Sequence, residues 1–314
     1  MNCWYIPDSH PTLIDTGINT DEAFSAIQSH IRDAGGSLRG LRRIIITHGH
    51  LDHIGLARRI SDVSGAEVFV HPWDMPGPMA KSEDGYEETR KSYVDFFRYA
   101  GLPEPSASDL IREILERLLR LQGPLDHAGP LTEGVVLPFD DFELKAVHMA
   151  GHSPGSVGLH SEDSGLFFSG DALVPEVTCN PYMRFWRDPD RRAYRALASY
   201  RSSLERFAGL RVTKVMPGHG RPFESRARRI TDLSPFHDIR ASKVLDYLVS
   251  VGKERRGSSE RTHFEIAVQL FGPLSGLLLS YRLAAVRVHI EDLVDRGLVR
   301  VAERDGVEYC ACGN

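Results

Sequence analysis

The feature that most constrains this chain is an apolar run that ends in a cluster of metal-binding side-chain types. Residues 44–46 are three isoleucines that read as a buried strand, and the next seven residues contain three histidines and one aspartate. His48 and His50 are two positions apart, so they point to the same side of an extended turn, while Asp52 and His53 fall in the first turn of the helix predicted to follow. Burial of so many ionisable groups without compensation would be costly, and a metal ion supplies that compensation.

Three later segments carry side chains of the same kind, each at a predicted strand end or in a glycine-rich turn. His152 lies in the motif G-H-S-P-G-S, Asp171 in S-G-D-A and His219 in P-G-H-G. Glycine allows the backbone to approach a ligand closely and to adopt positive φ, which suits such turns. Each motif alone is weak, but the four segments in this order predict one metal centre.

In this order the motifs resemble those of the metallo-β-lactamase superfamily, and specifically its glyoxalase II-like branch. The resemblance covers about residues 1–235 and implies an αββα sandwich with the site at one sheet edge. Carried over position by position, it implies His48, His50 and His152 as ligands of a first metal, Asp52, His53 and His219 as ligands of a second, and Asp171 as the bridging carboxylate. The run L-I-D-T-G also matches, which implies that Asp15 supports a ligand from behind.

The resemblance implies a binuclear metal-dependent hydrolase. Two divalent ions about 3.5 to 4 Å apart share a water and lower its pKa to about 7, so that hydroxide forms at neutral pH and attacks an acyl carbonyl or a phosphorus centre. Asp52 is the predicted catalytic residue, because it can orient that water or accept its proton while ligating. Imidazole and carboxylate ligands suit zinc, which is the default expectation, and leave iron and manganese open.

The chain as a whole predicts an α/β fold with a second, smaller domain. Short apolar runs alternate with amphipathic stretches over residues 1–235, as expected for strands packed against helices. Within this catalytic domain, about residues 73–134 form an insertion with two helical stretches separated by residues 101–105. Their apolar and aromatic stripes favour a packing face over a substrate lid.

Residues 236–314 have a different pattern, with helices predicted near 239–251, 261–271 and 281–295, followed by two strands. Three helices followed by a two-stranded ribbon indicate a winged-helix module, and the segment resembles the C-terminal module of the β-lactamase-like-protein-2 group. Residues 237–314 contain eleven Lys plus Arg against eleven Asp plus Glu. This balance disfavours a DNA-binding face and favours a structural or dimerisation module, with a homodimer left open.

Within the hydrolases the substrate stays open from sequence. The preferred substrate is a small acyl ester or thioester, because an apolar insertion is of little use to a phosphodiester; a lactonase and a single-strand endoribonuclease are the alternatives. An arginine cluster beyond His219 is either a solvated helix face or a contact for an anionic substrate: Arg221, Arg226, Arg228 and Arg229. The same metal-binding motifs also serve a mononuclear iron persulfide dioxygenase branch, and a winged-helix regulator with a metal sensor is the least favoured alternative.

Composition adds a few limits. A net charge of −5 gives no overall field for nucleic acid or membrane. The four cysteines are too scattered for a disulfide framework. Neither a signal peptide nor about 18 uninterrupted apolar residues is found, so we expect a cytoplasmic protein without a membrane partner.

Overall fold

The computed structural model describes residues 1–75, 83–175, 181, 194–224, 226–253, 259–273 and 275–313, with side chains described except at 226–234. The α-helices are α1 (Asp21–Asp33), α2 (Leu51–Ile54), α3 (Ala57–Ser64), α4 (Glu83–Tyr99), α5 (Ser106–Leu121), α6 (Ala196–Gly209), α7 (Arg226–Gly252), α8 (His263–Phe271) and α9 (Gly276–Asp295). The strands are β1 (Trp4–Ile6), β2 (Thr12–Ile14), β3 (Arg43–Ile45), β4 (Glu67–Val70), β5 (Gly129–Pro130), β6 (Val136–Pro138), β7 (Glu143–His148), β8 (Val157–Ser161), β9 (Leu166–Gly170), β10 (Lys214–Pro217), β11 (Arg261–Thr262), β12 (Val299–Arg304) and β13 (Val307–Cys312).

Two five-stranded sheets form the larger part of the molecule. Their strand orders are β1-β2-β3-β4-β5 and β10-β9-β8-β7-β6. In the first sheet β2, β3, β4 and β5 run parallel, and in the second β9 and β10 run parallel while the other pairs are antiparallel. Loops after parallel strands leave a sheet at the same edge, so these pairings bring distant sequence segments together there.

The two sheets pack face to face with helices on both outer surfaces. Between the sheets, Ile14 and Ile45 of the first contact Leu144, Leu159 and Phe168 of the second. A second apolar cluster lies between the first sheet and helices α1 and α3, and a third between the second sheet and α6. The αββα sandwich expected from the sequence is therefore confirmed.

The insertion and the C-terminal segment share one apolar core. Phe97 of α4 and Ile114 of α5 are buried in the same cluster as Val244 of α7 and Leu283 of α9. The expected packing face is thus correct. These side chains face the C-terminal helices and do not form an apolar wall beside a substrate. The preference for an acyl substrate therefore gains no support from the insertion.

The C-terminal segment consists of α7, α8 and α9 with a three-stranded antiparallel sheet of order β11-β13-β12. Helix α8 begins with a capping box, in which Thr262 and Glu265 satisfy each other's backbone N–H groups. The first helix of this segment, α7, is longer than predicted: it begins at Arg226 and continues through Pro235.

Some local predictions differ from the structure. The helix predicted to contain Asp52 and His53 in its first turn is followed by a break and then a second helix, so that α2 and α3 stand in its place. The chain turns at Gly55 against neighbouring backbone: a Cβ there would lie 2.7 Å from the carbonyl oxygens of Gly17 and Leu121. Strands β5, β6 and β11 were not predicted; each has only two or three residues.

Two expectations about the whole chain can be compared with the described residues. No single helix among them is long and apolar enough to cross a membrane; α8 and α9 reach that length and composition only as a pair bent by 110°. The described cysteines, Cys3, Cys310 and Cys312, are free thiols, and Cys179 lies outside the described residues.

Candidate metal centre

The predicted site residues all lie at the sheet edge where the parallel strands end. The chain leaves β3 through Ile46 and Thr47 to His48, and His50 then serves as the N-cap of α2. Asp171 follows β9 directly, and His219 follows β10 after one glycine. The sequence folds in this way because each strand is a buried apolar run. The polar residues that follow these strands leave the sheet at the same edge.

A first group of ligand atoms is formed by three histidines. Nδ1 of His50 lies 2.9 Å from Nε2 of His48 and 2.9 Å from Nε2 of His152. Nδ1 of His50 carries at most one proton, so it can donate a hydrogen bond in at most one of these two contacts. The three nitrogens therefore lie unusually close together around one point. Such crowding suits a cation that accepts a lone pair from each ring.

A second group lies beside the first. Oδ2 of Asp52 lies 3.1 Å from Nε2 of His219 and 3.8 Å from Nε2 of His53. Potential ligand atoms of these three residues all lie within 4.8 Å of one another. An imidazole and carboxylate set of this size can hold a second divalent cation.

Asp171 stands between the two groups. Its Oδ1 lies 3.4 Å from Nε2 of His53, and its Oδ2 lies 3.6 Å from Nε2 of His152 and 3.5 Å from Nε2 of His219. The two oxygens of one carboxylate therefore face both groups, as a bridging ligand would.

At four of the candidate ligands the electrostatics favour the form that binds metal. Burial lowers the pKa of His48 well below its usual value, helped by the neighbouring histidines, and burial with His152 lowers the pKa of His50 to about 3. Burial raises the pKa of Asp52 and Asp171, but their histidine neighbours outweigh it and hold both pKa values below the usual range. At neutral pH the two histidines are thus neutral and the two carboxylates ionised.

Two buried atoms test whether the site fits metal ions. Nε2 of His53 and Oδ1 of Asp171 are buried and have no hydrogen-bond partner. Unsatisfied buried polar atoms are uncommon and costly in native proteins. Both atoms face the cluster, and a divalent cation between them would satisfy both, so the donor set fits the implied metal pair.

The backbone close to the cluster needs glycine at one position. A Cβ at Gly218 would lie 2.4 Å from Oδ1 of Asp171 and 2.7 Å from Cε1 of His53. Any side chain there would displace a candidate ligand. The glycine before His219 is thus explained by its close approach to the cluster.

Asp15 contacts a candidate ligand, as the family resemblance implied. Its Oδ2 accepts from Nδ1 of His53 at 2.8 Å and its Oδ1 from the backbone N–H of Thr47 at 2.8 Å. Burial would lower the pKa of His53, but the Asp15 carboxylate, with Asp171, raises it well above the usual value.

Sequence reasoning missed Asp74. This buried carboxylate accepts hydrogen bonds from Gly49 and from the loop that follows His152. Its only signal was its position, since Asp74 follows β4 at the same sheet edge as the other site residues.

The arginine cluster beyond His219 lies partly within the described residues. Arg221 is exposed, and the side chains of Arg226, Arg228 and Arg229 lie outside the described residues. The choice between a solvated face and an anion contact stays as the sequence left it.

The chain is similar in sequence to known proteins. A family profile described as "Metallo-beta-lactamase superfamily" matches residues 2–219. Probable metallo-hydrolase YqjP of Bacillus subtilis (strain 168) is 29% identical over 265 residues, which are 83% of this chain and 77% of that protein. Acyl-coenzyme A thioesterase MBLAC2 of Homo sapiens is 33% identical over 234 residues, 71% of this chain and 74% of that protein.

Among solved structures, a metallo-β-lactamase family protein from Thermus thermophilus has a TM-score of 0.80 at 22% identity. The match covers 99% of this chain and 93% of that one. It supports the fold over the full length, including the insertion and the C-terminal segment.

Proposed function

Because the chain belongs to the metallo-β-lactamase superfamily and is a metal-dependent hydrolase like its relatives, we propose that it hydrolyses acyl thioesters with two divalent ions, zinc by default. The observation that carries the two-ion proposal is the position of Asp171, whose carboxylate lies within 3.6 Å of His152 in the first group and of His53 and His219 in the second. The thioester proposal is supported by the 33% identity to a relative named an acyl-coenzyme A thioesterase.

Each ligand group has a defined part in this proposal. His48, His50 and His152 would hold the first ion, Asp52, His53 and His219 would hold the second, and Asp171 would contribute to both. When bound, such ions would polarise a substrate carbonyl and lower the pKa of a water to about 7. The protein itself holds these seven side chains in position through the residues that lie behind them.

The site opens on the side of Asp52 and His219. Their side chains are 39% and 38% exposed, whereas His53 is fully buried. We therefore place the entering thioester against Asp52, with the buried histidines beyond it. The carboxylate of Asp52 orients the attacking water and takes up its proton, which is then available to the leaving group.

The reaction balances without a further reactant. Water adds its oxygen to the acyl carbon, and the carbon–sulfur bond breaks. The sulfur leaves as a thiolate that takes up the proton held by Asp52. The products are a carboxylic acid and a free thiol, so thiol release measures the reaction directly.

For the C-terminal segment we propose a winged-helix module with a structural role, which could also mediate a homodimer. Its core is continuous with the insertion, since Phe97 and Ile114 pack with Val244 and Leu283. This packing, together with the balanced charge of the segment, supports a scaffold more than a nucleic-acid reader.

The test combines metal analysis with a substrate panel on one preparation. The full chain, loaded separately with Zn²⁺, Mn²⁺ and Fe²⁺, is analysed for metal per chain and then assayed with acyl-coenzyme A thioesters, lactones, single-stranded RNA and glutathione persulfide. We expect about two ions per chain and release of free thiol from thioesters. Cleavage of RNA or lactone alone would contradict the thioester proposal, and one iron per chain with oxygen consumption would contradict the two-ion hydrolase.

A matched variant separates catalysis from nonspecific loss. Asp62 is an exposed carboxylate on α3 that pairs with Arg58. Asp62→Asn should keep both metals and full thiol release, whereas Asp171→Asn should lose thiol release. Equal activity of the two variants would contradict the proposed site.

A further inference from the structure

Asp74 is a buried carboxylate that joins two loops of the metal centre. It is fully buried in a short turn, Pro72–Asp74, that follows β4. Its Oδ2 accepts a hydrogen bond of 2.8 Å from the backbone N–H of Gly49, the residue between His48 and His50. One end of the carboxylate is therefore fixed to the turn that carries two candidate ligands.

The same carboxylate also holds the loop that carries His152. Oδ2 accepts from Oγ of Ser153 at 2.5 Å, and Oδ1 accepts from the backbone N–H of Gly155 at 2.9 Å. Ser153 follows His152 directly. The three donors come from two loops about a hundred residues apart in sequence, and Asp74 connects them.

The hydrogen atoms in this loop are directed toward Asp74. The backbone N–H of Ser153 donates to Oγ of Ser156 at 3.1 Å, and the two hydroxyl oxygens lie 2.7 Å apart. Since the Ser153 hydroxyl donates to the carboxylate, the Ser156 hydroxyl donates to Ser153. Asp74 accepts each of these three bonds, which only a carboxylate can do with both oxygens.

Close packing also indicates a fixed position for this side chain. A Cβ at Gly155 would lie 2.8 Å from Cβ, Cγ and Oδ1 of Asp74. Only glycine lets the loop come this near. Gly155, the second glycine of the G-H-S-P-G-S motif, thus makes room for Asp74 without itself touching the metal centre.

From these contacts we infer that Asp74 is a positioning residue for the first ion: it fixes the spacing between the turn of His48 and His50 and the loop of His152. The inference rests on the proposed two-ion site but on no substrate. These three hydrogen bonds come to Asp74 from the segments that carry the first group, and none of the three comes from His53 or His219 of the second. Loss of Asp74 should therefore weaken one ion and spare the other.

The choice of variant follows from the hydrogen bonds. In Asp74→Asn the side chain keeps its size, but its NH₂ group must face a backbone or hydroxyl donor, so at least one of the three bonds is lost. Ser153→Ala is a milder change that removes one donor and leaves the carboxylate, and it serves if Asp74→Asn does not fold.

The experiment is a stepwise titration of the metal-free full chain with Zn²⁺ against a coloured chelator. For Asp74→Asn we expect one binding step to weaken about 10- to 100-fold, the range found for partners that orient ligands. The other step should change less than about threefold. Ser153→Ala should weaken the same step by a smaller factor.

Asp62→Asn is the control, because Asp62 is a hydrogen-bonded carboxylate of α3 that pairs with Arg58 and lies outside every group of candidate ligands. It should leave both Zn²⁺ steps unchanged even if it lowers stability. Unchanged Zn²⁺ binding by Asp74→Asn, or equal weakening of both steps, would overturn the inference. The titration contains no substrate, so a failure of the thioester proposal would leave its result standing. A parent chain that binds only one ion would contradict the two-ion proposal. In that case Asp74→Asn must weaken the binding of that one ion.

Discussion

Asp15 holds His53 through a contact of 2.8 Å between Oδ2 and Nδ1, with both side chains almost completely buried. The carboxylate accepts a hydrogen bond from the Nδ1–H group, which leaves Nε2 of His53 directed at Asp171 and Asp52. The orientation and tautomer of one candidate ligand are thus set by a residue that binds no metal itself.

Asp15→Asn should weaken binding of the second ion. Asp15 has a φ of 60°, a conformation that asparagine tolerates well, so the backbone should persist. The amide cannot accept from both His53 and Thr47 as the carboxylate does, and we expect about 10- to 100-fold weaker Zn²⁺ binding. Chelator competition measures it. Parent-like affinity at both steps would show that Asp15 does not position His53.

Removal of a ligand should empty the site but keep the fold. We expect His50→Ala and Asp171→Ala to lose bound metal and to lose activity by more than about 100-fold, since even residues that only orient ligands contribute 10- to 100-fold. Metal content, thiol release and circular dichroism are measured on one preparation. Chelation of the parent should have the same effect, reversed by Zn²⁺. Full turnover by metal-free Asp171→Ala would exclude the mechanism.

The ligand cluster could be predicted because its signals are local. His48, His50, Asp52 and His53 lie in one strand–turn–helix segment, and the periodicities of strand and helix already place them together. Strand ends and a family resemblance predicted that His152, Asp171 and His219 would lie beside these residues. Their distances required the structure.

Other features depend on contacts that a sequence does not encode locally. Asp74 bonds to residues 25, 79 and 81 positions away, and nothing in its own segment identifies these partners. The apolar stripes of α4 and α5 predicted burial but not the surface that buries them, which is the C-terminal core. Strand β5, with only Gly129 and Pro130, exists through its pairing with β4.

A buried histidine pair should make folding stability depend on pH. His237 of α7 and His289 of α9 lie 3.3 Å apart between Nδ1 and Nε2. Burial, then the neighbouring histidine and Arg240, lower the pKa of His237 to about 3, and burial, partly offset by the carbonyl of Ala285, lowers that of His289 to about 4.

Both histidines stay neutral in the folded chain, while the unfolded chain binds protons below about pH 6.5. Stability should therefore be complete above pH 6.5 and fall as the pH drops toward 4, with a slope of up to about 1.4 kcal/mol per pH unit for each histidine. Urea unfolding at several pH values measures the slope. In His237→Phe, which keeps a ring against Tyr200, the slope should decrease; an unchanged slope would assign the pH dependence to other groups.

Glu308 should couple the insertion to the C-terminal segment. It accepts hydrogen bonds from the Tyr99 hydroxyl of α4 and from Nε2 of His263 of α8, the latter at 2.8 Å. Burial raises the pKa of Glu308, but His263 and Tyr99 outweigh it and hold that pKa below its usual value. We expect Glu308→Gln to lower the free energy of unfolding by about 1–3 kcal/mol, because a buried donor loses its charged partner.

Tyr99→Phe removes one of these bonds, so its effect should not add to that of Glu308→Gln. A double-mutant cycle in urea should give a coupling energy above about 0.5 kcal/mol. Glu260, which pairs with the exposed Arg304 at the surface, provides the control: Glu260→Gln should change stability little. Strict additivity of Tyr99→Phe and Glu308→Gln would mean that the Tyr99–Glu308 hydrogen bond does not couple the two segments.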